Sequence, residues 1–214
     1  MRTRGRAAED LMEVRKFSIP APAGALQGMV HVPDTTPRAI AVVAHPLPTL
    51  GGTMEHKIVT TLAKTFAELG CVALRFNFRG VGESSGSYDE GNGEVDDALA
   101  VARHALQEFG TLPLILSGFS FGAYVQARAA QQLSVHQLVL IAPAVRRFAM
   151  PAVAPDTLIV HGEMDEVVPL ADLMNWARPQ HLPVVVVPAA EHYFHGRLHH
   201  IRHIVRGHFL GHMP

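Results

Sequence analysis

The 214-residue sequence has a single cysteine, Cys71, which excludes an intramolecular disulfide. It has no strong charge of one sign, because 18 Lys and Arg residues nearly balance 19 Asp and Glu residues and none of them form a dense cluster. It also has no long apolar run, since stretches such as Val184–Val187 are far too short to cross a bilayer. Residues 1–16 lack the apolar segment of a secretory signal. We therefore expect a cytoplasmic protein with no nucleic-acid partner and no membrane partner.

Length and composition predict one globular domain. Hydrophobic residues make up 48% of the chain, which is enough for one good core, while the length is too short for two comfortable domains. We assign residues 13–214 to this domain. Residues 1–12 carry three of the basic side chains and are expected to form a flexible N-terminal tail, because domain ends are usually loosely held.

Strand-like and helix-like segments alternate along the sequence. An opening pair, Glu13–Ile19 and Ala25–Val32, is joined by a Pro- and Gly-containing turn and predicts antiparallel strands at one edge. The further predicted strands are Ala39–Ala44, Val72–Phe76, Leu112–Leu116, His136–Ile141, Thr157–Val160 and Val184–Val187. The predicted helices are Glu55–Leu69, Glu94–Phe109, Phe121–Gln132, Leu170–Trp176 and His195–Phe209. This order predicts an α/β fold with a mostly parallel central sheet and helices on both faces.

Ligands bind beyond the carboxyl ends of the strands in such sheets, so the residues that follow each strand are candidates for a functional site. Residues Gly118–Gly122 form a G-x-S-x-G motif between a predicted strand and a predicted helix. Such a turn is tight enough to require glycine on both sides, and it holds the serine hydroxyl clear of the sheet at the positive end of the helix. The motif predicts Ser120 as a nucleophile. The alternative is an ordinary serine in a glycine-rich turn.

A serine hydroxyl is a poor nucleophile at neutral pH, so it needs a base and a group that orients the base. Behind a G-x-S-x-G turn the partners follow in the order serine, acid, histidine. Asp165 comes shortly after the predicted strand Thr157–Val160 and is the favoured acid. Glu163 and Glu166 are competitors in the same loop, where they are also explained as solvated side chains.

The predicted base is His192, the first histidine beyond the last predicted strand. It would accept the serine proton on one ring nitrogen and donate from the other nitrogen to Asp165. His195 is the rival, although it falls at the predicted start of the closing helix. His195, His199 and His203 are four residues apart on one helical face, but no carboxylate or cysteine completes a ligand set. We expect a polar helix face there, and we expect no metal and no organic cofactor.

An oxyanion requires two N–H donors. One should be the backbone N–H of Phe121, directly after the nucleophile. The other should come from the loop after Ala39–Ala44, where Pro46 and Pro48 have no N–H to donate, which leaves Leu47. His45 is interpreted either as a wall of the pocket or as a hydrogen-bonded brace of this loop.

Four sequence motifs carry a resemblance to the α/β-hydrolase superfamily, which extends over residues 13–210. In chain order they are His45–Pro48 with Gly51–Met54, Asn77–Ser84, Gly118–Gly122 and His161–Asp165. The resemblance is greatest to small, lidless bacterial serine hydrolases and esterases related to dienelactone hydrolase. It implies a catalytic triad of Ser120, Asp165 and His192, with the N–H groups of Leu47 and Phe121 as the oxyanion hole. The chain departs from the relatives in having His-Pro where many have His-Gly. It also has serine where dienelactone hydrolases have cysteine, which argues against a dienelactone substrate.

The predicted connection of about fifteen residues, Ala142–Asp156, is too short for the cap domain that many α/β hydrolases insert there. An open site suits small or exposed acyl groups. Besides Phe121, the candidate pocket walls for substrate binding are His45, Met54, Phe119, Val145, Val167 and Tyr193.

The sequence thus predicts a serine hydrolase that cleaves a small-molecule carboxylic ester through an acyl-enzyme. The alternatives are an acyltransferase or a peptidase that uses the same triad, and a binding protein of the same fold without turnover. A dehalogenase or epoxide hydrolase is disfavoured, because those enzymes have aspartate where Ser120 stands. An exposed sheet edge and the closing helix are candidate surfaces for pairing into a homodimer.

Overall fold

A computed structural model describes residues 12–211, which form one eight-stranded sheet and five α-helices. The strands are β1 (Met12–Ala21), β2 (Gly24–Pro33), β3 (Ala39–Ala44), β4 (Cys71–Phe76), β5 (Leu114–Phe119), β6 (Gln137–Ile141), β7 (Leu158–Gly162) and β8 (Val185–Val187). The helices are α1 (Lys57–Glu68), α2 (Asn92–Phe109), α3 (Phe121–Ala129), α4 (Leu170–Ala177) and α5 (Leu198–Leu210).

The strands lie in the order β1-β2-β4-β3-β5-β6-β7-β8. Strand β2 runs antiparallel to β1 and β4, whereas all pairs from β4 to β8 are parallel. This confirms the predicted α/β fold with an antiparallel pair at one edge. Because β5, β6, β7 and β8 are consecutive neighbours, the loops that follow them emerge side by side at one edge of the sheet.

The central strands are apolar on both faces because helices cover both. In β3, Ile40 and Val42 belong to the cluster under α2 and α3, whereas Ala41 and Val43 belong to the cluster under α1 and α5. All six residues of β3 are buried, as expected for a parallel strand between two helical layers. Burial of each large aliphatic side chain contributes about 1.5–3 kcal/mol, so this core holds the ends of β3 and β5 firmly in place.

Most element boundaries differ by a few residues from the sequence prediction, and three of these differences concern the site or the chain start. The closing helix begins at Leu198 instead of His195, because Phe194 and Gly196 have φ values of 53° and 68°, which a right-handed helix does not accommodate. Strand β5 continues to Phe119, directly before Ser120, and does not stop at Leu116. Met12, assigned to the tail, is the first residue of β1, and residues 1–11 lie outside the described part of the chain.

No cap domain covers the carboxyl edge of the sheet, as predicted. Within the described chain, residues 142–157 between β6 and β7 form only turns and irregular structure. None of the helices within residues 12–211 has the length and apolar character needed to cross a bilayer.

Candidate active site

Ser120 occupies a sharp turn between β5 and α3. Its backbone has φ 55° and ψ −112°, a strained conformation for a residue with a side chain. The turn is held because the Ser120 N–H donates to the carbonyl oxygen of Ile141 in the neighbouring strand at 2.9 Å. Both flanking glycines are sterically required. A Cβ atom on Gly118 would lie 2.3 Å from the backbone of Gly122, and one on Gly122 would lie 2.4 Å from the carbonyl oxygen of Ala44.

The three residues of the predicted triad meet in space. His192 Nε2 lies 3.1 Å from Ser120 Oγ, and His192 Nδ1 lies 2.7 Å from Asp165 Oδ2. Asp165 and His192 are each 4% exposed, and Ser120 is 9% exposed. The low local dielectric therefore strengthens the hydrogen bonds that orient the imidazole ring.

The carboxylate of Asp165 is fixed by its own loop. Its Oδ1 accepts hydrogen bonds from the N–H groups of Val167 and Val168 at 3.0 and 2.7 Å, which leaves Oδ2 for His192. The His161 ring is 3.6 Å from the same Oδ2, but burial lowers the pKa of His161, and its Nε2–H donates to the carbonyl oxygen of Val168 at 2.8 Å. His161 therefore braces the loop and does not replace His192 as the partner of the acid.

The competing acids and the rival histidine lie on the protein surface. Glu163 is exposed and accepts a hydrogen bond from the N–H of Ala189 at 2.8 Å, and Glu166 is exposed. His195 is exposed and pairs with Glu191 at 2.9 Å. Within residues 12–211, none of these three candidates has a hydrogen bond to the predicted nucleophile.

The residues of both predicted oxyanion donors lie at the cavity in front of the serine. Leu47 and Phe121 line the same cavity as Ser120. Phe121 is the first residue of α3, so its N–H is one of the unpaired donors at the positive end of the helix. Neither N–H donates to any other residue of the described chain. Two unpaired N–H groups are thus available at this cavity.

His45 is a brace and not a pocket wall. Its Nε2 accepts the N–H of Phe78 at 3.0 Å, and its Nδ1–H donates to the carbonyl oxygen of Pro46 at 2.7 Å. The ring is fully buried, and burial lowers the pKa of His45 to about 3, so the neutral ring keeps one donor and one acceptor. These bonds tie the loop that carries Leu47 to the end of β4.

The cavity in front of Ser120 has a volume of about 420 Å³, within the range of small-molecule sites. Its walls come from the loops after β3, β6, β7 and β8 and from the start of α3. The lining residues are Pro46, Leu47, Leu50, Gly51, Gly52, His56, Ser120, Phe121, Ala144, Arg146, Arg147, Phe148, Val167, Val168, His192 and Tyr193.

The predicted walls are only partly correct. Val167 and Tyr193 line the cavity, but His45, Met54, Phe119 and Val145, all within the described residues, do not. Met54 is buried, with its N–H bonded to Asn77 Oδ1 at 2.8 Å, and Val145 packs against the core formed by Ile159 and Leu173.

Phe119 packs against two histidines of the site from the side of the protein core. As the last residue of β5 it points into the core under α1 and α5 and is fully buried. Its ring stacks on His56 at 5.0 Å and lies 5.0 Å from the His192 ring. Phe119 therefore limits the movement of both histidines without contacting the cavity.

Sequence reasoning missed several walls. His56 caps α1, where its Nδ1 accepts the N–H of Ile58, and Arg146, Arg147 and Phe148 lie in the loop after β6. The rule that ligands bind after the strands points to this loop, but the wall residue predicted from it is Val145, one position before Arg146. No group of three or more His, Cys, Asp or Glu residues within residues 12–211 is placed to hold a metal ion.

Comparison with known proteins agrees with this fold. The profile of the family described as serine aminopeptidase, S33, matches residues 35–156, more than half of the chain. An uncharacterised protein of Rickettsia prowazekii is 32% identical in an alignment 190 residues long, which covers 81% of this chain and 79% of the relative.

Two solved structures are similar over nearly the whole fold. The Xanthomonas campestris protein, described as an α/β serine hydrolase without a lid, is 37% identical with a TM-score of 0.90 over 94% of this chain and 96% of its own. An α/β serine hydrolase homologue from Coxiella burnetii is 41% identical with a TM-score of 0.85 over 90% of this chain and 96% of its own.

Proposed function

The chain belongs to the serine aminopeptidase S33 family of α/β hydrolases, and on this basis we propose that it hydrolyses carboxylic esters with Ser120 as the nucleophile. The observation that carries the proposal is the buried chain of hydrogen bonds from Ser120 through His192 to Asp165. Ser120, at one end of this chain, lines the cavity. A serine aligned in this way is available for acyl transfer.

In the proposed reaction, Ser120 Oγ attacks the ester carbonyl carbon while its proton moves to His192 Nε2. The Asp165 carboxylate accepts the hydrogen bond from His192 Nδ1–H and stabilises the imidazolium that forms. Collapse of the tetrahedral intermediate breaks the bond to the alcohol, which leaves with the proton from His192. Water then attacks the acyl-enzyme by the same steps, and the free acid and Ser120 are released.

The negative charge that develops on the carbonyl oxygen is stabilised by the N–H groups of Leu47 and Phe121. Support for this assignment comes from their shared cavity and from the lack of another acceptor within the described chain. Loss of one such donor typically costs about 10²–10³ in kcat, so this pair contributes a large part of the rate. The chemistry requires no metal and no organic cofactor.

The shape of the site favours small or exposed acyl groups. The cavity is uncapped, and its apolar walls include Leu50, Phe148 and Val167. A cavity of about 420 Å³ without a lid surrounds a short acyl chain but cannot enclose a long one.

The family description raises peptidase activity as a second candidate. An aminopeptidase has to bind the ammonium group of the substrate's N-terminus, and a carboxylate is the usual partner of a desolvated cation. The lining residues of the described chain include no Asp or Glu, but they include Arg146 and Arg147. The electrostatics thus favour an ester over a peptide with a free N-terminus. An acyltransferase would form the same acyl-enzyme and differ only in the acceptor.

The proposal is tested with p-nitrophenyl acetate, butyrate and octanoate, with alanine p-nitroanilide, and with Ser120→Ala in parallel. We expect faster hydrolysis of the two short esters than of the octanoate, little release from the anilide, and loss of at least about 10³-fold in kcat in the variant. Added alcohols that divert most of the acyl group into a new ester would identify an acyltransferase. Ester hydrolysis that survives in purified Ser120→Ala would contradict the assignment.

The cytoplasmic location and the homodimer stay predictions. Edge strand β8 offers the clearest surface for pairing, because Val185 and Val186 are each 37% exposed there. Light scattering on the eluting protein would give the mass in solution and decide between monomer and dimer.

A further inference from the structure

Two consecutive arginines lie in the wall of the cavity. Arg146 and Arg147 belong to the loop after β6 and line the same cavity as Ser120 and His192. No Asp or Glu is among the lining residues of the described chain. Guanidinium groups stay protonated at every pH at which an esterase is assayed, so the cavity is positively charged throughout.

These guanidinium groups are only weakly paired within the protein. Arg146 Nε forms an ion pair with Asp172 Oδ2 at 3.8 Å, which is too long for a hydrogen bond, and the two side chains are 61% and 40% exposed, so that solvent screens the pair. Arg147 lies over the ring of Phe148 at 5.8 Å, and within residues 12–211 it has no carboxylate partner. Arg202, by contrast, bonds Glu68 at 2.8 Å. Arg146 and Arg147 thus keep N–H donors free for a ligand in the cavity.

The loop that carries the arginines is anchored. The N–H groups of Arg147 and Phe148 donate to the carbonyl oxygen of Ala144 at 3.2 and 3.1 Å, which closes a tight turn. The Phe148 ring stacks on Tyr124 at 4.7 Å and packs on Phe121 at 5.1 Å, and both of these residues belong to α3. Because α3 begins directly after Ser120, the backbone of the arginine loop is fixed relative to the nucleophile.

We propose that Arg146 and Arg147 bind a carboxylate on the substrate, so that the preferred substrates are small esters that carry a negative charge. This inference rests on the proposed esterase function and names its substrate class. The carboxylate belongs either to the acyl part, as in a half-ester of a dicarboxylic acid, or to the alcohol part, as in an acylated hydroxy acid. Guanidinium groups suit this ligand because their paired N–H donors match the two carboxylate oxygens.

The test compares charged and neutral esters of nearly the same shape. For the acyl side, mono-p-nitrophenyl glutarate is compared with its methyl ester, by release of p-nitrophenol. For the alcohol side, 4-acetoxybenzoate is compared with its methyl ester, by chromatography of the phenol product. The readout is the ratio of kcat/KM for the charged ester to kcat/KM for the neutral ester, which cancels any general change in activity.

For the wild-type protein we expect a ratio of roughly ten or more in at least one pair, since charge-assisted hydrogen bonds are about twice as strong as neutral ones. Arg146→Gln/Arg147→Gln should lower that ratio to about one. High salt should lower it in part, because these side chains are exposed and their charges are screened. Arg103→Gln, which removes an exposed guanidinium from α2 outside the cavity, should leave the ratio unchanged. The pair of esters for which the charged member is preferred identifies whether the acyl part or the alcohol part of the substrate carries the carboxylate.

A wild-type ratio of one or less in both pairs would overturn the inference, as would a ratio that the double variant retains. Failure of the esterase proposal is recognised separately, by absence of hydrolysis of every ester, neutral or charged. In that case calorimetry of mono-p-nitrophenyl glutarate with Ser120→Ala decides the inference. Binding that is tighter than for the methyl ester, and lost on adding the Arg146 and Arg147 substitutions, supports it. Equal binding of the two esters contradicts it.

Discussion

His192 lies between Ser120 and Asp165, with its Nε2 3.1 Å from the hydroxyl oxygen and its Nδ1 2.7 Å from the carboxylate. The acid is 27 residues and the serine 72 residues away from the histidine in the sequence. They meet because β5, β7 and β8 end at the same edge of the sheet with only β6 between them. Because each side chain comes from a different loop, each can be substituted separately and its effect on kcat measured.

Asp165→Asn should lower kcat by on the order of 10⁴-fold without unfolding the protein. The amide oxygen can still accept the N–H groups of Val167 and Val168, which turns the NH₂ group toward His192. His192 Nδ1 must then act as an acceptor, so that Nε2 carries the proton and cannot take one from Ser120. Steady-state kinetics on a short p-nitrophenyl ester measure the effect.

The matched control for this change is Glu163→Gln, the same chemical substitution in the same loop. Glu163 is exposed, and among the described residues its carboxylate accepts a bond from Ala189 alone, so we expect kcat to change by less than about threefold. Equal losses in the two variants would contradict the role given to Asp165.

His192→Gln should lower kcat by about 10³-fold or more, whereas His195→Gln should leave it nearly unchanged. His195 is exposed and pairs with Glu191, so we expect its ring to have no part in proton transfer. Measurement of both variants on one ester separates the two histidines. A larger loss at His195 than at His192 would show that the base has been assigned to the wrong ring.

The fold and the backbone positions of the site could be predicted from sequence, because both depend on local signals. The all-apolar β3 predicts a strand buried on both faces, and the glycines around Ser120 predict a tight turn at the end of β5. The roles of Asp165 and His192 stay predictions, although the structure places His192 between Asp165 and Ser120 and within hydrogen-bond distance of both.

The side chains of the cavity could not be predicted in the same way. The sequence predicts that Phe119 faces the substrate, but β5 extends to this residue, and strand alternation turns its ring into the core. Arg146 and Arg147 lie in an irregular loop, where no periodicity indicates the direction of a side chain. Their position depends on the packing of Phe148 against α3, which only the tertiary structure reveals.

Gly122→Ala should destabilise the protein by about 1–3 kcal/mol or more, because the added Cβ would lie 2.4 Å from the carbonyl oxygen of Ala44. Gly207→Ala is the control, since a Cβ on this residue of α5 meets nothing within 4 Å. Alanine favours a helix by up to about 1 kcal/mol over glycine, so we expect this variant to be more stable than wild type. Urea denaturation of the two variants measures both changes. Destabilisation of similar size in both would contradict the steric argument.

The free energy of unfolding should decrease as the pH falls from about 6.5 to about 4, partly through His31. Burial, followed by the charge of Arg75, lowers the pKa of His31 to about 4, whereas the unfolded value is about 6.5. Below pH 6.5 the unfolded chain therefore binds a proton that the folded chain does not. Stability from the neutral ring is fully present above pH 6.5 and is lost toward pH 4.

His31→Gln should reduce this pH dependence by up to about 1.4 kcal/mol per pH unit, because glutamine does not titrate but can accept the hydrogen bond from Arg75 Nε. Urea denaturation at about pH 7, 6 and 5 compares the slopes for the two proteins. Since His45 and the carboxylates are the same in both, their contributions cancel. Parallel slopes would show that His31 does not titrate as described.

The proposed function depends on Ser120 being an activated nucleophile. The most direct measurement is intact-mass spectrometry after incubation with a fluorophosphonate, followed by peptide mapping, for wild type and Ser120→Ala. An activated serine displaces fluoride and retains the phosphonyl group. We expect one adduct on the wild-type protein, located on Ser120, and none on the variant. No adduct on the wild type, or an equal adduct on Ser120→Ala, would contradict it.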